Sequence, residues 1–166
     1  MHSKLLVTAA TVFMAVIVSA CGDTTPPAAV ASPSPATSPS SPAAAAAMIM
    51  GATDAKLGAI LVDGSGKTVY LFVADKGTVS SCYTSCATIW PPMLTTGAPQ
   101  AGTGAKASLL GTTTRTDGKV EVTYAGHPLY YFIQDKKAGD ATGQGINGFG
   151  GLWWVVSPGG AAITTK

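Results

Sequence analysis

A mainly β fold is predicted for this sequence: a compact antiparallel β domain built from two tandem hairpin-containing repeats, with a short helical turn near Cys82–Cys86. Three observations predict it. Val69–Lys76 reads VYLFVADK and Leu129–Lys136 reads LYYFIQDK, so Tyr-x-Phe-x-x-Asp occurs twice. Around each copy, β-branched and aromatic runs alternate with Gly- and Asp-rich turns. Cys82 and Cys86 sit at the i, i+4 spacing of one helical turn, just before Trp90-Pro91-Pro92.

The elements follow in order. Ala59–Val62 is a short apolar run, and Asp63-Gly64-Ser65-Gly66 supplies turn chemistry. Thr68–Val73 then completes a hairpin. Side chains alternate along a strand, so Tyr70 and Phe72 share one face and Val69, Leu71 and Val73 the other. Both faces are apolar, which fits a strand covered on both sides. Ser80 or Ser81 is placed to cap the Cys82–Cys86 turn, and Pro91 to end it. Shifting the first half onto the second sets Ile60, Val62, Gly66, Val69, Tyr70, Phe72 and Asp75 on Val120, Val122, Gly126, Leu129, Tyr130, Phe132 and Asp135. Val120–Tyr124, Ala125-Gly126 and Pro128–Ile133 therefore form the second hairpin, and Trp153–Val156 a last strand. Two copies are too few for a solenoid and suggest a two-fold duplicate. Tyr70, Phe72, Tyr130 and Phe132 then point four rings at one core. Asp75 and Asp135 fall at strand ends, where a carboxylate bonds nearby backbone N–H groups.

The N-terminus sets the compartment. Lys4 precedes an apolar run from Leu5 to Val18, the length of a signal-peptide core and short for a membrane span. Val18-Ser19-Ala20-Cys21 followed by Gly22 resembles a bacterial lipobox. On that resemblance residues 1–20 are a lipoprotein signal peptide, and Cys21 carries the lipid that anchors the protein to the membrane. Residues 21–50 read as the lipidated Cys and a disordered Pro/Ala/Ser/Thr tether. At about 3.1 Å per residue the tether reaches on the order of 80 Å. Residues 51–166 are the β domain, with repeat one at about 57–94 and repeat two at about 117–158. Of ten Lys and Arg, Lys4 falls in the leader, leaving nine against eight Asp and Glu. A balance so close to neutral argues against nucleic acid and gives no polybasic patch for acidic lipid. With Cys21 lipidated, Cys82 and Cys86 remain as a pair in an oxidising envelope.

The two Tyr-x-Phe-x-x-Asp copies, Cys82-x-x-x-Cys86-Ala87, Trp90-Pro91-Pro92, Gly126-His127-Pro128-Leu129-Tyr130 and Gly143-Gln144-Gly145 running into Gly150-Gly151-Leu152-Trp153-Trp154 resemble a family of bacterial secreted lipoproteins. That family carries a Tyr-x-aromatic-x-x-Asp motif and is called a secreted repeat of unknown function. The resemblance covers roughly Leu57 to Gly160. It implies envelope location and a tandem repeat, and no established chemistry.

Two readings of Cys82 and Cys86 stand. One is a small structural disulfide. The other is a soft-metal site, in which thiolates, His127 and the thioether of Met93 suit copper. His127, the one histidine outside the leader, is either a turn residue or a ligand-facing side chain toward copper or haem. No His follows Cys86 directly, which excludes covalent haem attachment through Cys-x-x-Cys-His. Asp75 and Asp135 are candidates for paired acid–base work, but identical placement at two strand ends favours a shared structural role. Gly143–Gly148 satisfies G-x-G-x-x-G without the strand–helix context a dinucleotide needs, and reads as a Gly-rich loop. With Asp135 and Asp140 that loop is a Ca²⁺ candidate that does not match an EF-hand loop. Glu121 is the one Glu, and no serine has a His–Asp relay. The expectation is a non-enzymatic envelope lipoprotein, without a cofactor, that binds or organises another envelope component. The alternative is a copper- or haem-related redox or metal-handling protein using Cys82, Cys86 and His127, with a hydrolase at the Gly-rich loop a third possibility.

Overall fold

A computed structural model describes residues 46–165, so the leader and Cys21 lie outside the described residues. The first strand, β1 (Met48–Asp54), starts inside the stretch assigned to the tether. Met48–Met50 leave the Pro/Ala/Ser composition because Ile49 is fully buried and Met50 packs against the core. β1 pairs antiparallel with β2 (Gly58–Asp63), Ile49 opposite Asp63 and Asp54 opposite Gly58. β3 (Tyr70–Phe72) follows, then α1 (Ser85–Ile89) and the two-residue β4 (Gln100–Ala101). After one 3-10 turn at Ala107–Leu109 come β5 (Leu110–Thr114), β6 (Val120–Tyr124) and β7 (His127–Pro128). β8 (Asn147–Gly148) and β9 (Gly151–Val155) complete the order. They form three small sheets, β2-β1-β4, β3-β9-β8 and β5-β6-β7, antiparallel except for the short β1–β4 pair.

The mainly β fold is present, and its repeat unit is longer than the motif alone suggests. The β1–β2 hairpin of the first half corresponds to the β5–β6 hairpin of the second. Neither β1 nor β5 was expected. Both lie mostly half-exposed, and apart from Met48–Met50 and Leu110 their sequences, MIMGATD and LGTTT, are small and polar, so neither carries an apolar period.

The first expected hairpin closes only at its base. Val62 bridges Thr68, and Asp63 N–H donates to Lys67 O at 2.8 Å. Beyond that, β3 leaves β2 and pairs with β9, Tyr70 opposite Val155 and Phe72 opposite Trp153. The second hairpin is present with a two-residue turn, Ala125-Gly126, both at positive φ. The strand expected over Pro128–Ile133 stops at Pro128. The segment facing Tyr130–Phe132 is Ile89–Met93, where Pro91 and Pro92 have no N–H to give. What remains is one bridge, with Tyr131 N–H donating to Pro91 O and Met93 N–H to Leu129 O, and a further bond from Ile133 N–H to Ile89 O.

β3 is covered on both faces, as its two apolar faces implied. Tyr70 and Phe72 enter one core with Ile60, Val62, Cys82, Cys86, Trp90, Tyr130, Phe132 and Trp153. Val69 and Leu71 enter a second with Ile49, Met93, Val122, Tyr124, Leu129 and Trp154. Val73, placed with Val69 and Leu71 by alternation, is exposed because β3 ends at Phe72. α1 carries no side-chain cap: Thr84 is its N-cap residue, while Ser80 and Ser81 bond elsewhere. Its end at Ile89, just before Pro91, is as expected.

Candidate functional site

The four motif rings meet in the first core. They do so as part of a larger column in which the halves alternate. Phe72 stacks on Trp153 (centroids 4.0 Å, 7° between planes), Trp153 on Trp90 (4.0 Å, 4°), and Trp90 on Phe132 (4.4 Å, 29°). Tyr70 stands edge-on to Trp90 at 5.3 Å and Tyr130 edge-on to Trp153 at 5.1 Å. Offset and edge contacts of this kind add to what burial alone gives.

The motif carboxylates close the column crosswise. Tyr70 Oη donates to Asp135 Oδ2 at 2.6 Å, and Tyr130 Oη donates to Asp75 Oδ2 at 2.7 Å. Each Tyr thus bonds the Asp of the other repeat. The remaining carboxylate oxygens do what the turn reading expected. Asp75 Oδ1 accepts from Ser81 N–H and Oγ, and Asp135 Oδ1 from Thr142 N–H and Oγ1. Each phenol oxygen also accepts: Tyr70 Oη from Gly143 N–H, Tyr130 Oη from the Ser80 hydroxyl. Burial, with the neighbouring carboxylates, pushes both phenols far above their usual range, so they stay protonated. Burial also raises the Asp75 carboxyl, against the hydrogen bonds that lower it. Gly143 has to be glycine here, since an added Cβ would lie 2.7 Å from the Trp90 ring and 3.0 Å from the Tyr70 ring. The Gly-rich loop therefore packs on the aromatic column.

The Asp75 end carries a polar cluster with no counterpart at Asp135. Arg115 and Glu121 face each other across the β5–β6 hairpin, nearly fully buried, at 2.7 Å. Arg115 also donates to Ser80 Oγ (2.8 Å) and Cys82 O (2.7 Å), and its guanidinium lies 4.4 Å from the Tyr83 ring centre. Glu121 Oε1 and Arg115 Nε have no hydrogen-bond partner. Burial outweighs the guanidinium and pushes the Glu121 carboxyl up to about 7. The sequence offered one signal for this cluster: the single Arg and single Glu of the chain lie six residues apart, on either side of Asp117-Gly118.

Cys82 and Cys86 are joined by a disulfide, Cα atoms 5.2 Å apart, within the first core. Met93 belongs to the second core, and His127 is half-buried in β7 opposite Tyr124. Cys82, Cys86, Met93 and His127 therefore do not share one site. Among the described residues, no group of three or more His, Cys, Asp or Glu is arranged to hold a metal ion. Asp140 accepts from the Lys136 and Lys137 N–H groups, which hold its carboxyl below the usual range.

A cleft of about 580 Å³ opens beside the Asp135 end, lined among others by Lys67, Pro91, Tyr131, Ile133, Lys136 and Lys137. The Lys67 ammonium sits 5.1 Å from the Tyr131 ring centre, and Tyr131 Oη donates to Asp63 Oδ2. Phe132, the last ring of the column, lies at its wall. The motif reading passed over this cleft, because Lys67, Pro91, Tyr131, Ile133 and Lys137 fall where the two copies differ or outside the motif.

The geometry defines a duplicated β domain whose halves are cross-braced by their own motif residues. The family described as a secreted repeat of unknown function matches residues 51–93 and 111–157, and the chain belongs to that family. Both matched segments begin inside the first strand of a repeat, β1 or β5. The protein is thus of an exported class. No curated protein and no solved structure matches the chain. Among the described residues, no helix is long and apolar enough to cross a membrane.

Proposed function

We propose that the protein is a non-enzymatic envelope module, held on the membrane by lipid on Cys21, that binds an anionic envelope component in the cleft beside Tyr131. One observation carries this reading. The duplicated motif groups spend their bonding capacity on each other, Tyr70 on Asp135 and Tyr130 on Asp75, so the repeat is scaffold. What faces solvent is the cleft, lined by Lys67, Lys136 and Lys137 beside an aromatic and aliphatic wall, with the Lys136 ammonium donating to Ile133 O. Asp135 in its lining is committed to Tyr70 and Thr142. Nearby Asp63 and Asp140 are likewise occupied by their own turns, Asp63 by Ser65 and Lys67 N–H groups. An anion entering here meets cations above an apolar floor, an arrangement that favours acidic groups on a partly apolar body.

Co-sedimentation of the purified chain with isolated envelope fragments tests the reading. Binding is expected to weaken with salt and to be lost in a Lys67→Glu/Lys137→Glu variant that folds normally. Unchanged binding in that variant rejects the cleft. The anchor is tested separately: Cys21→Ala is expected to leave the detergent phase on partitioning, or to remain unprocessed. Partitioning like the wild type rejects lipidation at Cys21.

A further inference from the structure

A buried phenol is satisfied by any acceptor, and a backbone carbonyl serves. Here both motif phenols face a carboxylate instead, at 2.6 Å for Tyr70–Asp135 and 2.7 Å for Tyr130–Asp75. A carboxylate is a base as well as an acceptor. Losing one electron makes a phenol strongly acidic, so a base already at hydrogen-bond distance takes the proton as the electron leaves. Each Oδ2 is aimed at its phenol because the other oxygen is fixed by two donors, Ser81 at Asp75 and Thr142 at Asp135.

The same phenols touch the tryptophan pair. Trp90 and Trp153 are parallel within 4° at 4.0 Å, and two indoles so stacked share a missing electron better than one. Tyr70 meets Trp90 and Tyr130 meets Trp153 edge-on. Phe72 and Phe132 cover the two ends of the pair. They are hard to oxidise, so charge stays on the four central rings. All four are buried to within 1 %. Water does not reach the radical, and at buried Asp135 it does not reach the proton either; Asp75 is half-buried.

We propose that Trp90, Trp153, Tyr70 and Tyr130, with Asp75 and Asp135 as proton acceptors, form a proton-coupled one-electron relay. It takes an oxidising equivalent from an outer-sphere one-electron oxidant at the domain surface and stores it as a tyrosyl radical. The oxidant removes one electron from the indole pair and is itself reduced. The indole radical cation then takes one electron from Tyr70 or Tyr130. The phenol O–H bond breaks, and the proton passes to Oδ2 of Asp135 or Asp75. The products are a neutral tyrosyl radical, a neutral indole, a protonated carboxyl and the reduced oxidant. A one-electron reductant reverses each step, returning the proton to the phenol. The relay is independent of the cleft proposed above and needs no metal in the protein.

The test uses the full chain in detergent, oxidised by photogenerated tris(bipyridine)ruthenium(III) with persulfate as the terminal acceptor. Radicals are identified by freeze-quench electron paramagnetic resonance and transient absorption. The wild type is expected to end in a tyrosyl radical that forms more slowly in D₂O. Asp75→Asn/Asp135→Asn keeps an acceptor oxygen but removes the base, and is expected to lose the tyrosyl signal and stop at tryptophan. Tyr83→Phe/Tyr131→Phe, at tyrosines outside the first core, removes only two hydroxyls and is expected to leave the tyrosyl signal unchanged. A wild type that stops at tryptophan overturns the relay. So does a tyrosyl signal that disappears with Tyr83 and Tyr131, whether or not the Asn variant folds.

Discussion

Tyr70 and Tyr130 exchange backbone hydrogen bonds, the N–H of each donating to the carbonyl of the other at 2.9 Å. The axis relating the two repeats passes between them. Their side chains then diverge, each to the carboxylate of the opposite repeat. Neither repeat can satisfy its own buried phenol, so neither half holds a complete core.

Crosswise pairing predicts an ordered cost for losing each phenol. Tyr70→Phe leaves the Oδ2 of buried Asp135 without its donor, and is expected to cost about 1–3 kcal/mol. Tyr130→Phe is expected to cost less, because Asp75 is only half-buried and water replaces the lost donor. Urea midpoints measure both. In a Tyr70→Phe, Asp135→Asn cycle the two costs should fall short of additive, as for any pair in direct contact. Strict additivity would show that the 2.6 Å bond adds nothing to stability.

The ring column predicts where aromatic truncation hurts. Phe72→Ala and Phe132→Ala are each expected to destabilise by about 3–5 kcal/mol, and Trp153→Ala by at least as much, since its ring stacks on both Phe72 and Trp90. Phe149 supplies the contrast. It is exposed, in the β8–β9 turn, at φ 55°. Phe149→Asn is expected to gain up to about 1 kcal/mol by relieving a left-handed backbone that suits Asn better. Thermal melts compare the two classes. Losses below about 1 kcal/mol at Phe72 and Phe132 would place those rings outside the core.

The contrast between Phe132 and Phe149 shows what the sequence revealed. Phe132 sits in a repeated pattern with period-two partners, so its burial was readable. Tyr70, Phe72 and Tyr130 were readable for the same reason. The edge strands β1 and β5 were not, because Gly, Ala and Thr carry no apolar period and their pairing comes from neighbours elsewhere in the chain. Asp75 and Asp135 were read correctly as turn acceptors, through contacts only six or seven residues away. Their second partners lie more than fifty residues off and follow only from the two-fold packing. The Arg115–Glu121 pair and the Lys67–Tyr131 contact break the repeat, so comparing the halves hid them.

The Cys82–Cys86 bond closes a very short loop, and so constrains the unfolded chain little. Chain entropy for such a loop amounts to about 2 kcal/mol. Cys82→Ala/Cys86→Ala is therefore expected to lose about that much and to keep its fold. Arg115 holds this loop through the Cys82 carbonyl, a backbone group that the substitution leaves in place. Alkylation followed by mass spectrometry should find neither cysteine labelled before reduction. Labelling of both in the protein as isolated, with copper bound stoichiometrically, would restore the metal-handling reading.

Glu121 gives the chain a pH dependence of definite sign. In the unfolded chain its carboxyl titrates near 4.5; in the fold, burial pushes it up to about 7 despite Arg115. Between those values the folded protein holds a proton that the unfolded chain has released. Stability from this group is full below about 4.5, falls as pH rises through that window, and levels off above about 7. Asp75, also raised by burial, adds in the same direction. Glu121→Gln abolishes the first contribution. The variant is expected to be less stable throughout, since it strips buried Arg115 of its counter-charge. Its decline between pH 5 and 7 should nevertheless be shallower than that of the wild type. Urea unfolding across that range reads the slope directly. Equal slopes would mean that Arg115 keeps Glu121 ionised throughout, and that the guanidinium, rather than burial, controls this carboxyl.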